Sequence, residues 1–426
     1  MADDHILQLK NQYSEDDSIR SYEYYEYQPI TGTQYNNSGE IRITVESQDE
    51  FFHPHESYLL FEGNLLKAAG GVYANEDVIT LTNNAIMYLF SNIKYELSGH
   101  EIESINYPGQ GTSMLGLLKY SDDFSKSQGL NQCWFKDTAA AASLTTNKGF
   151  KARQAFIVQS PTPKGSFSFV VPLKHIFGLC EDYDRIIYGM KQMITLVRTS
   201  DDDAIFRIAT PGKGKVVLDK ISWFLPRVLP NDNERFTLIR MIESKPLIDV
   251  GFRRRQCDTI TVPESTSFTW RLSVKASPER TSYVIIGFQT DKSGDQLKNP
   301  AIFDNCGVKN MYIMLNSTRY PAMDFNANFT KNQLSRLYKE VINFIPNYYG
   351  MDGQSNIDPA DYKSLFPLFI FNVSKQSERM KGGITDLTVK MEFGANVAAN
   401  TQSFALVISD RLLKFQSDGT KMNVVL

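Results

Sequence analysis

SFVVPLKHIFGLCEDYDRIIYGMKQMITLVR, Ser168 to Arg198, is the stretch on which the reading of the fold turns. It continues the alternation of SFSFVVPL (Ser166 to Leu173), where apolar and polar side chains take opposite faces as they do on a half-buried strand. The alternation breaks at Pro172 and Leu173. A charged passage follows, with a short helix expected over Asp182 to Tyr188, and the stretch ends on ITLVR.

Similar strand-like runs surround it. Upstream lie IRITV (Ile41 to Val45), SYLLFEG (Ser57 to Gly63) and IMYLFSNIKYEL (Ile86 to Leu97). Downstream lie KVVLDKISWFL (Lys215 to Leu225), RFTLIRMI (Arg235 to Ile242), SFTWRLSV (Ser267 to Val274) and SYVIIGFQT (Ser282 to Thr290). MYIMLN (Met311 to Asn316), LTVKMEF (Leu387 to Phe393) and SFALVIS (Ser403 to Ser409) complete the set. Many short strands with long irregular loops read as sandwiches or barrels, an all-β class. Helices are few: one expected from Asn332 to Phe344, ended by Pro346, and a short one near Thr112.

A chain of 426 residues exceeds the size at which one core stops growing, so two domains are expected. The weakly hydrophobic stretch Ser200 to Lys215, with Asp201, Asp202, Asp203 and then PGKGK, is the linker candidate, and it sets the expected boundary at 203/204. With 27 Phe and 21 Tyr against 3 Trp, the aromatic surplus favours pleated, half-buried surfaces.

A net charge of −3 gives no global attraction to polyphosphate, so sequence-specific nucleic-acid binding is not expected. The scattered Cys133, Cys180, Cys257 and Cys306 suggest reduced, buried thiols rather than a disulfide framework or zinc site. MADDHILQLK does not have the basic and apolar make-up of a secretory leader, and the expectation is a protein that is not secreted.

No motif completes a catalytic constellation. GQGTSMLG (Gly109 to Gly116) has phosphate-loop glycine spacing, but Leu117 and Leu118 stand where Lys and Ser or Thr are needed. PGKGK lacks a third glycine and a following helix. HEIES puts Ser104 where a zinc-protease helix needs its second histidine, and His53 with His55 flank a proline turn. Asp182 with Asp184, or Asp201 to Asp203, supply carboxylates that sequence alone cannot bring across a cleft. The expectation is a chain with no catalytic residue, cofactor or metal.

Two segments stand out as contact candidates. Residues 1–30 form an acidic tail that holds the cluster SYEYYEY, with Tyr22, Tyr24, Tyr25 and Tyr27. It reads either as a mobile terminus or as a set of tyrosines that dock on a neighbouring subunit. Arg253, Arg254 and Arg255 are the one dense positive cluster, facing nucleic acid or a neighbour's acidic edge, or else ending a strand in solvent.

The opening stretch resembles the late part of the first roll in double-jelly-roll viral capsid proteins, where a strand ends in a PL step, a short irregular or helical passage follows and a long strand closes the roll. ELSGHEIESI (Glu96 to Ile105) resembles a strand-turn-strand step earlier in the same roll. SLFPLFIFNVSKQSE (Ser364 to Glu378), GGITDLTVKMEF and SFALVISD look like the closing strands of the second roll, and the three matches stand in the family's order. The wording is closer to the branch of polinton or maverick elements, adintoviruses and related small DNA viruses. The proline-aromatic wording that follows the PL step in the giant-virus branch is missing.

The resemblance implies two consecutive eight-stranded antiparallel jelly rolls with few short inserted helices, over 31–203 and 204–426. It implies a major capsid protein whose homotrimers make pseudo-hexameric tiles of an icosahedral shell, with penton or minor capsid proteins as further partners, and a place in the virion after assembly inside the host cell. Ser121 to Lys151 and Asn316 to Tyr362 would be towers or trimer-locking loops. A carbohydrate- or receptor-binding β-sandwich of spike or fibre type, and a β-sandwich hydrolase, are the competing readings.

Overall fold

The computed structural model describes residues 18–30, 35–36, 39–46, 49–272, 279–377, 386–419 and 421–425. A first sandwich contains β1 (Ile19–Tyr27), β2 (Glu40–Val45), β3 (Tyr58–Lys67), β4 (Phe90–Leu97), β5 (His100–Asn106), β6 (Ser166–Pro172), β7 (Gln192–Arg198) and β8 (Gly214–Pro230). One of its sheets runs β1-β8-β3-β6 and the other β2-β7-β4-β5, with every neighbour antiparallel.

The second sandwich contains β9 (Leu247–Thr261), β10 (Ser267–Arg271), β11 (Arg280–Thr290), β12 (Val308–Leu315), β13 (Thr318–Tyr320), β14 (Phe369–Asn372), β15 (Leu387–Phe393) and β16 (Thr401–Ser417). It repeats the order eight strands on: β9-β16-β11-β14 faces β10-β15-β12-β13. First strand beside last and second beside seventh is the wrapping of a jelly roll, and the chain makes it twice. Short strands extend the edges: Phe51–Phe52 and Ile187–Tyr188 in the first roll, Met422–Val425 beside β16 in the second.

Period-2 patterning fixes which face is inside. Along β3, Leu59, Phe61 and Leu65 are buried while Tyr58, Leu60, Glu62 and Asn64 are half-exposed. Ile43, Ile93, Tyr95 and Leu196 of the facing sheet and Trp223 of the neighbouring β8 belong with these residues to one core cluster. β11 is buried on both faces, which explains its nearly unbroken apolar wording. Its Tyr283 packs edge-on against Phe344 and Tyr348 of the inserted helices.

Several expectations are corrected. The weakly hydrophobic stretch is not the division between rolls: Ile205–Arg207 pairs with Ile79–Leu81, and β8 sits between β1 and β3. The change of sandwich falls after Pro230, because a jelly roll needs its eighth strand beside its first and third. The segment beyond Ser18 is no mobile tail, since Ile19–Tyr27 supplies the first strand; residues 1–17 lie outside the described residues.

RFTLIRMI is helical within Asp232–Glu243, where the Asn231 side chain accepts hydrogen bonds from the N–H groups of Asn233 and Glu234. The short helix expected over Asp182–Tyr188 instead occupies Gly178–Asp182. The one near Thr112 spans Pro108–Lys119, and the Asn332–Phe344 helix is Ser335–Ile342, followed by Phe344–Tyr349. Pro346 lies in the first turn of that last helix, where a missing N–H is tolerated.

Antiparallel alternation puts the connections that follow odd-numbered strands at one end of each roll. The two longest, residues 107–165 and 321–368, are both of this class. They contain nearly all of the two stretches expected to be towers.

Candidate functional site

The functional features of this chain are surfaces, and the first is the seam between its rolls. β9 is an edge strand, paired only with β16, so alternate backbone N–H groups face outward. The first roll receives them with carboxylates. Arg253 N–H donates to Asp182 Oδ2 at 2.7 Å, and Arg255 N–H donates to Glu103 Oε1 at 3.0 Å. The other Glu103 oxygen accepts from Leu179 N–H at 2.8 Å. An exposed edge would be a template for aggregation, and this one is closed by acids from within the chain.

The side chains along the same strand extend the network. Arg253 pairs with Asp182 and lies over the Tyr348 ring, 3.9 Å from its centre. Arg255 pairs with Glu181 and donates to the carbonyls of His175 and Ile176 at 3.1 and 3.0 Å. Lys119 and the Tyr349 hydroxyl also reach Glu181. Arg254 makes a fork of two 2.8 Å bonds to Glu279. Arg254 and Arg255 are 2% and 1% exposed, so the cluster is neither a solvated strand end nor a face toward packaged nucleic acid.

The seam's electrostatics follow from burial against pairing. Burial would raise the Glu181 carboxyl, but the Arg255 and Lys119 charges beside it hold it down at about 2. Lys119, desolvated and facing Arg255, is pulled down to about 8 despite Glu181. Burial pushes Glu103 up and His175 well down. Such perturbed groups in an open cleft would suggest acid-base chemistry. Here Lys119 and Glu181 pair with each other, Glu103 accepts from the N–H groups of Leu179 and Arg255, and His175 meets Gln132 at 2.8 Å, all within a packed joint.

Gly178 lets the joint close, because a Cβ there would collide with the Arg253 carbonyl oxygen. Gly109 and Gly116 of the phosphate-loop look-alike have the same kind of role: a Cβ on either would run into the rings of Tyr88 and Trp134 respectively. That glycine spacing is helix packing. Asp182 and Asp184 diverge, the first to Arg253 and the second to His53 at 2.7 Å. Among the described residues, no three or more His, Cys, Asp or Glu side chains gather as a metal site.

The second surface is the outer face of β1-β8-β3-β6. Tyr22 and Tyr24 lie on it, 39% and 46% exposed, and continue a row of rings through Tyr58 to Phe224. Tyr22 Oη is 2.9 Å from His53 Nδ1, and Tyr24 donates to the Glu56 carbonyl at 3.4 Å. Tyr25 and Tyr27 take the opposite side of the strand, Tyr25 under Arg227 and Tyr27 against the core residue Trp223. The structure thus separates the two candidate clusters, tyrosines on the first edge strand and arginines on the equivalent edge of the second roll. Sequence reasoning missed Glu103 and Glu181, which no local pattern distinguishes from surface acids, and singled out Asp182 only as one of a pair of carboxylates with Asp184, not as a partner of Arg253.

Among solved structures the chain is similar to one of the Sputnik virophage determined by cryo-EM, with TM-score 0.61 and 11% identity over 99% of this chain and 91% of that one. The mavirus major capsid protein gives 0.57 and 12% over 99% and 93%, and the Faustovirus major capsid protein 0.55 and 9% over 96% and 93%. At these identities the likeness is one of fold. No curated protein sequence matches the chain. The family model described as a double jelly roll-like domain matches residues 79–413, which start before β4 and end within β16, and the chain is accordingly a member of the double jelly roll-like domain family.

Proposed function

We propose that this protein is the major capsid protein of a virus or virus-like element, a structural component of the virion rather than an enzyme. The observation that carries this reading is the repeat of one strand order in two consecutive rolls joined by a buried seam. Two similar wedges per chain make six per three chains, which tile a hexagonal lattice with a single protein. The capsid proteins of mavirus and Faustovirus, similar to it over nearly their full length, support the same reading. Homotrimers would be the tile, and penton or minor capsid proteins its further partners.

The test is the native mass of the purified chain by light scattering, followed by electron microscopy of concentrated material. The expected species is about 145 kDa, three chains of 48.4 kDa, which then forms closed shells or flat hexagonal arrays. A monomer at every concentration, with binding to a glycan array, would replace this reading with a carbohydrate-binding sandwich.

A further inference from the structure

The two rolls share a strand order but not an environment, and the difference marks a surface for a second copy of the chain. In the second roll, the edge strand β9 is closed by the first roll: by β5 through Glu103, by the helix Pro108–Lys119 that follows β5, and by Gly178–Asp182. The equivalent edge strand of the first roll is β1. It pairs along one side only, with β8, and none of its residues is buried. Edge strands of monomeric proteins are blunted by lysine, proline or a covering loop. β1 has the exposed charges Arg20, Glu23 and Glu26 but no lysine or proline, and it presents Tyr22 and Tyr24 in the ring row described above, with Ile30 beyond its end, 71% exposed.

The counterpart follows from the same equivalence. Of the three first-roll elements that close β9, Gly178–Asp182 follows the sixth strand, whose equivalent is β14; the other two are the fifth strand and the segment directly after it, and their second-roll equivalents are β13 and the residues that follow it. There stands Met323, 73% exposed, the most exposed large apolar side chain among the described residues, with Ile30 next. The two largest apolar exposures among the described residues thus each stand three residues past a strand of this pair, Ile30 after β1 and Met323 after β13. Aromatic rings and methionine are the side chains enriched at protein interfaces.

We infer that β1, with Tyr22, Tyr24 and Ile30, is the seat for β13 and the Met323 segment of a second copy of this chain. The inference rests on the trimeric shell reading. If the junction between chains repeats the junction between rolls, each is a sixth of a turn and three chains close. The contact is heterologous: one patch on each chain meets a different patch on the next.

A heterologous junction has a test that an isologous one fails. Tyr22→Glu with Tyr24→Glu disables the first patch, and Met323→Glu disables the second. Each variant alone stays monomeric at ten times the concentration at which the unaltered chain is fully trimeric. Mixed, they form a capped heterodimer of about 97 kDa and go no further, since each still owns one working patch. Recovery of the heterodimer also shows that both variants are folded. Variants that remain trimeric overturn the surface assignment while the trimer stands. Monomeric variants that never pair overturn the complementarity of the two patches. A monomeric unaltered chain overturns the shell reading itself.

Discussion

Glu181 is the residue on which the seam's charges converge, with Arg255, Lys119 and Tyr349 all directed at it. Removing its charge leaves two buried cations short of a partner, and breaking a buried pair in this way costs about 3 to 5 kcal/mol. Glu181→Gln should therefore lower the unfolding free energy by about that amount in denaturant titrations. Its carboxyl sits at about 2 in the fold against an ordinary 4.5, so its contribution is complete above pH 4.5 and is lost as pH falls toward 2. Glu103, shifted upward, works the other way and gains as pH falls. In Glu181→Gln the loss of melting temperature between pH 4.5 and 2 should be shallower than in the unaltered chain; an unchanged slope would mean that Glu181 is not ionised in the fold. Gly178→Ala should cost about 1 to 3 kcal/mol, because its methyl group would have to push back the Arg253 backbone.

At the scale of elements, what the sequence made legible depended on whether burial is periodic. The strand-turn-strand at Glu96 to Ile105 was readable because Leu97, Ile102 and Ile105 are buried around a turn at Ser98 and Gly99, both with positive φ. The helix Asp232–Glu243 was not, because only Ile242 is buried and Phe236 and Met241 face solvent, so no helical stripe existed to read. Its real signal was the cap. Asn231→Ala should cost about 1 kcal/mol and reduce helical content at that connection, with hydrogen exchange of residues 232–243 rising first. β1 was misread for a related reason: acids and tyrosines on a strand with no buried residue resemble a solvated tail. The arginine cluster was visible as charge, but its partners Glu103, Glu181, Asp182 and Glu279 come from distant segments, which no local spacing reveals.

For the whole molecule, the question is whether two rolls joined by a hydrogen-bonded, ionic seam unfold as one body. The seam ties the second roll's first strand to elements of the first roll at five or more side chains, and helix Pro108–Lys119 touches both β9 and β16. Other ties join the rolls as well: Asn299 donates to Asp137, itself paired with the fully buried Arg153, Arg207 donates to Gln296, and Lys136 pairs with Asp361. Losing either roll would strand several charges in a half-exposed face, so each roll is stable chiefly in the presence of the other. Scanning calorimetry should accordingly show one transition in the unaltered chain. Glu103→Gln combined with Glu181→Gln should lower it and divide it in two, the rolls melting separately. Should the double variant still melt in a single step at reduced temperature, the coupling would reside in these other ties and the apolar packing around Cys257 and Gly111 instead, and adding Asn299→Ala and Gln296→Ala would then be expected to separate the transitions.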